Sequence, residues 1–415
     1  MKLNQYQKYK ETGIQWIGKI PEEWEVHRLK YVLVPEPGKN VPEGEEDYVE
    51  IGDINRETKD YVKTSKLTVS GAKNVPKGTI LISTVRPNLR GITITKERIN
   101  VSSAFCKLKL DNPYSFFYLT NDSFFSYLFT KSTGSTYPTC KDEDIFNYPY
   151  MEPSLEEKNC ISSFLDTKTT QINTIIEKDK KLIELLKEKR TALINHVVTK
   201  GLNPKARMKD SEIEWIGEVP KNSKVMPFRR ICRLNQGLQF PQDERLELPE
   251  KNSFLYITIK YLNSEEKIEE YIPNPPKSVI CKKDDVLLAR TGATGEVITN
   301  QEGVFHNNFF KINYDPKINR DYLVYYLQKD SVKKILLLKA GTTTIPDLNH
   351  DDFLDIPFIY RDYNEQQKIS LFLDKATSKI DQTIKKIEQK IKLMEEYKKS
   401  LIYHVVTGKV DVRAK

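Results

Sequence analysis

The side chains best equipped for specific chemistry lie in turns rich in Gly, Pro and Thr. Arg86, Asn88 and Arg90 flank a turn broken by Pro87, and Arg290, Thr291 and Thr294 occupy the matching turn of a second, similar stretch. Two loops repeat the pattern: TGSTYP, with Ser135, Thr136 and Tyr137, and AGTTTIP, with Thr342 and Thr343. Arg presents a planar fork of donors that fits guanine O6 and N7, Asn fits the adenine edge, and Ser, Thr and Lys mostly fix phosphates. Each of these residues is, taken singly, equally suited to a solvated turn. Together they form the candidate DNA-binding set.

The parts of an enzyme are missing. GATGE at Gly292 to Glu296 lacks the Lys and following hydroxyl of a phosphate-cradling loop. Asn274-Pro275-Pro276-Lys277 has Lys where an amino-methyltransferase needs an aromatic ring to stack on an extruded base, and no cofactor loop precedes it; it reads as a turn. The five histidines, His27, His196, His306, His350 and His404, are not spaced as a metal pair. No catalytic residue and no metal ligand is expected.

The elements that must position the loops are written twice. The segment from Ser154 to Thr199 recurs from Asp362 to Thr407, and Pro138 with Pro346, Asp166 with Asp374, and His196 with His404 all stand 208 residues apart. Each copy opens with a helix-start signal, Ser154 with Glu157 and Asp362 with Glu365, as capping boxes do. Ile380, Ile384, Ile387, Ile391, Met394, Lys398, Leu401 and Val405 then recur at steps of four and three, which is a heptad seam. The first copy places Ile172, Ile176, Asp179, Ile183, Leu186, Arg190, Leu193 and Val197 at the matching positions. Arg190 and Lys398 fall at one seam position, where a long stem packs and the charge reaches the rim; they read as register control. A helix from Ser154 to Val197 would be about 66 Å long at about 1.5 Å per residue. Because a long globular segment separates the copies, antiparallel pairing of the two helices is the economical arrangement.

The opening GIQWIGKIP is echoed by EIEWIGEVP, with Trp16 on Trp215 and Gly18 on Gly217, 199 residues apart. Trp16 and Trp215 read as aromatics docking on their own domains. Between this opening and the long helix, each half runs in the same order. Residues 48 to 110 offer short strands (YVEIGDI, KGTILISTV, GITIT, AFCKLKL), as do FLYITIKYL, DVLLARTGATGEVIT and FFKINY in the second half. A single apolar helix follows, Ser115 to Phe129 or Arg320 to Leu338, then the polar loop and the long helix.

Lys and Arg number 66 against 58 Asp and Glu, a net charge of +8 that favours an acidic partner without naming one. Cys106, Cys140, Cys160, Cys232 and Cys281 show no C-x-x-C spacing, so neither a disulfide framework nor a zinc site is indicated, and a reducing cytoplasm is expected. No segment has the length and apolarity of a membrane span or an apolar leader.

The endings ALINHVVTKG and SLIYHVVTGKVDVR, with IQWIGKIPEEW and IEWIGEVPK, closely resemble the signatures of the specificity subunit of type I restriction-modification systems. The resemblance covers essentially the whole chain. It implies an α+β protein with two mixed α/β target-recognition domains separated by two long antiparallel helices forming a coiled coil, in a pseudo-two-fold internal repeat. The boundaries would be 1–152 for the first recognition domain, 153–200 for the first conserved helix, 201–361 for the second domain, and 362–415 for the second helix and tail. It also implies a non-catalytic role. Each domain reads half of a bipartite, asymmetric double-stranded DNA site. Two methyltransferase subunits, which carry S-adenosylmethionine and modify adenine, dock on the helices and repeat openings; motor-nuclease restriction subunits join for cleavage. No cofactor is expected in this chain. A helix of ~66 Å limits the half-site separation to roughly 19 base pairs at about 3.4 Å each. Helix overlap brings it nearer one DNA turn. The competing readings are a coiled-coil scaffold that binds protein without reading DNA, and a stand-alone methyltransferase.

Overall fold

A computed structural model describes residues 4–264, 266–341 and 346–413. The chain forms two compact units, one made of Met1–Lys180 with Glu388–Lys415 and the other of Lys181–Ile387.

In the first unit, strands Tyr9–Glu11 and Lys19–Pro21 make an antiparallel hairpin with Tyr9 opposite Pro21. Gly18, at φ +67°, closes it in a conformation that costs a Cβ-bearing residue more. Glu25–Arg28 then pairs antiparallel with Pro149–Glu152, so the two ends of the globular part are stitched together. Between them lies a three-stranded antiparallel sheet in the order Phe105–Lys109, Thr79–Ser83, Ile92–Ile94. A second sheet runs Lys39–Asn40, Lys73–Val75, Ile99–Val101, Tyr48–Val49, its last pair parallel. Successive side chains of a strand point to opposite faces. Ile80 and Ile82 therefore enter one core and Leu81 the other, which explains why the run TILIS is buried throughout and its centre ILI is apolar without alternation.

The second unit repeats the plan. The hairpin Met208–Asp210 with Glu218–Pro220 precedes Lys224–Pro227, which pairs with Pro357–Tyr360. One sheet has the order Cys232–Gln236, Phe309–Tyr314, Val286–Ala289, Val297–Ile298. The other runs Tyr271–Pro273, Ser253–Ile257, Gly303–Phe305, Ile280–Cys281. Val286 and Leu288 face one core, Leu287 and Ala289 the other.

Local polar chemistry cuts three expected elements short. The helix expected over Ser115 to Phe129 is two, Pro113–Leu119 and Asp122–Lys131, because Asn121 leaves the helical conformation and its side chain accepts from Phe124 N as a cap. Arg320 to Leu338 likewise divides into Arg320–Gln328 and Asp330–Lys339 at the extended Lys329. The run FLYITIKYL is a strand only to Ile257; Thr258 then caps the short helix Ile259–Asn263 through Tyr261 N at 3.0 Å.

The long helices span Leu155–Lys200 and Tyr363–Val406. Ser154 Oγ accepts from Glu157 N as a cap should. The carboxylate of Glu157 does not complete the capping box: it is buried and accepts from Tyr6 OH at 2.6 Å and Trp24 Nε1 at 3.0 Å. Glu365 is likewise diverted, to Arg361 at 2.6 Å. In both cases a side-chain donor, distant for Glu157 and four residues away for Glu365, outcompetes the local backbone N–H.

Each unit contains one stretch of both helices, and in each they run antiparallel. In the first unit Ile172 and Ile176 share a core with Leu401 and Val405, flanked by Ile391 and Met394. Asn173 accepts from Lys398 at 2.9 Å, while Asp179 pairs with Lys390 at 2.8 Å. In the second unit Val197 and the half-buried Leu193 join a core with Ile369 and Leu373, and Arg190 pairs with Asp381. Ile384 is buried, whereas Ile183, Leu186, Ile380 and Ile387 are half-buried. Trp16 stacks on Tyr148 with ring centroids 5.5 Å apart, and Trp215 packs against the second unit's core.

Candidate nucleic-acid interface

In both units the central strand of the core sheet runs into a half-buried surface turn held to a second loop. Register fixes the equivalence. Ser83 faces Phe105 as Ala289 faces Phe309. Thr84 N donates to Ala104 O and Cys140 N to Thr84 O; Arg290 N donates to Asn308 O and Leu348 N to Arg290 O. Val85 bridges to Thr139 and Thr291 to Asp347. The residue equivalent to Arg290 is thus Thr84, and Arg86 corresponds to Gly292. The two turns match in place, but their arginines stand two positions apart.

That shift separates their roles. The Arg290 guanidinium donates to Leu348 O at 3.1 Å and to Asp347 Oδ2 at 2.7 Å, and lies over the Phe310 ring. Thr291 Oγ1 donates to the other Asp347 oxygen at 2.6 Å, and Thr294 Oγ1 to Arg290 O and Pro346 O. Arg290, Thr291 and Thr294 brace the turn, with their polar groups satisfied from within. Thr342 and Thr343 lie outside the described residues.

In the first unit the turn carries its arginines outward. Arg86 and Arg90 both have left-handed backbone, at φ +49° and +56°. Gly292 and Gly295, at φ +82° and +86°, hold the corresponding places in the second unit. A residue with a Cβ pays about 1–2 kcal/mol for that conformation, which glycine avoids. Arg86 N donates to Pro138 O at 2.7 Å, and its guanidinium lies 4.1 Å from the centroid of the exposed Tyr137 ring. Arg90 pairs with Asp122 at 3.0 Å. Asn88 at the tip of the turn, with Ser135 and Thr136 in the facing loop, is exposed. The structure therefore brings Arg86 and Tyr137 into one contact, although 51 residues separate them in the chain.

Two cavities escaped sequence reasoning. In the first unit, a cleft of about 680 Å³ is lined by Lys59, Arg90, Phe116, Phe117, Lys398 and other residues. Burial and the nearby Arg90 push the Lys59 amine down to about 8, and Lys59 Nζ donates to Arg90 O at 3.0 Å. In the second unit, a cavity of about 360 Å³ is lined in part by Gln242, Arg245, His306 and Asn308. Gln242 and Arg245 both donate to Glu270, at 2.8 and 2.9 Å. Burial, then Arg245, holds the His306 imidazole below its ordinary value. Neither cavity has a local signature, because its lining comes from segments far apart in the chain.

Among the described residues no group of three or more His, Cys, Asp or Glu could hold a metal ion, and no helix is long and apolar enough to cross a membrane. The cysteines are free; burial pushes the Cys232 thiol up to about 12 and those of Cys140 and Cys281 up to about 11, so they pack as small apolar groups.

Comparison with known proteins agrees with this architecture. The chain is 25% identical over 436 residues to the type I restriction enzyme MjaVIII specificity subunit of Methanocaldococcus jannaschii, covering 98% of this chain and 97% of that one. It is 23% identical to the MjaIX specificity subunit of the same organism, covering 83% and 84%. The HsdS subunit from Thermoanaerobacter tengcongensis shares the fold with a TM-score of 0.57 at 16% identity, covering 96% of this chain and all of that one. A chain from a structure concerned with complex assembly and conformational transition of the type I R-M system superposes with a TM-score of 0.75 at 16% identity, covering 93% and 98%. The family model for the type I restriction modification DNA specificity domain matches residues 21–185 and again 220–393. This protein therefore belongs to the family of type I restriction-modification specificity subunits and carries the family's DNA specificity domain twice.

Proposed function

We propose that the two units read unlike halves of one bipartite, asymmetric double-stranded DNA site. The observation that carries this reading is the pair of equivalent surface turns, residues 84–91 and 290–296, each clasped to a second loop yet furnished with different side chains. Similar scaffolds with dissimilar tips suit two different half-sites, and the target is then not a palindrome. The candidate contacts are Arg86, Asn88, Arg90, Ser135, Thr136 and Tyr137 in the first unit. In the second unit Arg290, Thr291 and Thr294 hold the corresponding turn in shape. Phosphate contacts fix register and base-edge contacts supply specificity.

The chain is the non-catalytic subunit of its complex. Two methyltransferase subunits dock on the long helices and on the hairpins at residues 9–21 and 208–220, and S-adenosylmethionine is bound by those subunits. Restriction subunits with motor and nuclease functions join this core for cleavage. The complex works on genomic DNA in the cytoplasm, where free thiols persist. On this reading the length of the two long helices sets the number of base pairs between half-sites.

Methylated-base sequencing of a host genome with and without this gene, alongside its methyltransferase gene, tests the proposal. A bipartite adenine-methylation motif with unlike halves is expected only when the gene is present. An unchanged methylation pattern would refute it.

A further inference from the structure

We propose that Arg86, held over Tyr137, is the guanine-reading residue of the first unit, and that the described residues of the second unit hold no counterpart to it. The inference rests on the DNA-specificity reading above and assigns a residue, a base and an asymmetry that the reading leaves open.

Three observations converge. First, the guanidinium of Arg86 rests 4.1 Å from the Tyr137 ring centroid, while its N–H groups have no acceptor among the described residues. Contact with the ring face uses none of the N–H donors, so the donor edge that matches guanine O6 and N7 is left available. It also fixes the long side chain before DNA arrives, so less rotamer freedom is lost on binding.

Second, Arg86 keeps a left-handed backbone at φ +49°, where the second unit has Gly292 at +82°. The turn itself is better served by glycine. A strained non-glycine residue in a surface turn points to a task for its side chain.

Third, the arginine of the second turn has a different occupation. Arg290 lies at the position of Thr84, with its donors committed to Asp347 and Leu348 O. Freeing it for a base would cost the carboxylate of Asp347 its ion-pair partner and leave it only the hydrogen bond from Thr291 Oγ1. The sequence resemblance between the two turns therefore hides a difference in function.

The test uses the complete complex, with Arg86→Gly, Arg86→Lys and Arg290→Ala introduced separately and genomic methylation sequenced. Arg86→Gly keeps the turn, since glycine suits its backbone and the relief of strain offsets the lost stack; its melting midpoint should stay within about 2 °C of the parent. Methylation of the parental motif should fall roughly ten- to a hundredfold, with one G·C position in one half-site becoming degenerate. Arg86→Lys should show the same loss, because an ammonium cannot form the paired bonds. Arg290→Ala should lower the midpoint while the bases of the motif stay the same.

Full methylation of an unchanged motif by Arg86→Gly would overturn the proposal. So would rescue by Arg86→Lys, which would mark a phosphate contact, or a changed base under Arg290→Ala. Absence of any bipartite motif from the parent complex would instead refute the specificity reading itself, and the two failures are therefore distinguishable.

Discussion

Arg190 Nε lies 3.0 Å from Asp381 Oδ1, and both residues have counterparts 208 positions away: Lys398 for Arg190 and Asn173 for Asp381, again in contact, at 2.9 Å. In the second unit the first long helix supplies the cation, and in the first unit the second helix does. One seam contact has been kept twice, once as an ion pair and once as a hydrogen bond. The expected register role of the two cations has this physical form: a polar pair that is satisfied only when the helices align as they do.

Asn173→Asp should therefore stabilise the first unit. Burial holds the Lys398 amine below the ordinary lysine range, and a carboxylate opposite it would restore the lost favour for the charged form. We expect a gain of up to about 1 kcal/mol that shrinks as salt is raised, read from denaturant unfolding at two ionic strengths. A loss of stability at low salt would contradict the assignment.

Ile176 is only 6% exposed and belongs to the core that includes Leu401 and Val405. Ile176→Ala should cost about 2–4 kcal/mol through lost burial and a residual cavity. Ile183→Ala, at a half-buried seam position, should cost clearly less. Thermal unfolding of the two variants side by side checks the order.

The buried carboxylate of Glu157 accepts two hydrogen bonds from neutral donors, Tyr6 OH and Trp24 Nε1. Glu157→Gln places an NH₂ group opposite one of those donors. A cost of about 1–3 kcal/mol is expected for the donor left unsatisfied. Quenching or a spectral shift of Trp24 fluorescence should report the local rearrangement before global unfolding.

Lys329 is 5% exposed, and burial pushes its amine down to about 8, with Nζ over the Trp215 ring. Its folded value lies below its unfolded value, so the folded state binds fewer protons between about pH 8 and the ordinary lysine value near 10.4. This site opposes folding by a constant amount below pH 8, and stability rises with pH across that window. Lys329→Met should be more stable than the parent at pH 7, and the gap should narrow toward pH 10. Parallel unfolding curves at the two pH values would refute this.

Exchanging residues 27–150 for those of another family member should change the bases of one half-site and leave the other half and the spacer alone. Inserting about one helical turn, four residues, in both long helices should do the reverse. Methylated-base sequencing distinguishes the outcomes, and a spacer unaffected by the insertion would refute the role given to the helices.

The sequence by itself determined the duplication, the two long helices with their seam, the repeated WIG openings and the order of strands. These rest on periodicity, capping residues and turn glycines, which act over a few positions and are written out in the chain. The residue types of the candidate interface were legible for the same reason. What only the tertiary structure decided was which partner each side chain takes. Glu157 abandons its capping box for Tyr6 and Trp24, Arg290 folds onto Asp347, and Arg86 finds Tyr137. The sequence places Arg86 and Arg290 in matching turns; only hydrogen-bond register sets Arg290 opposite Thr84 and Arg86 opposite Gly292. A buried or stacked polar group takes whichever complementary atom the folded chain brings within about 3–4 Å, and no local pattern encodes that distance.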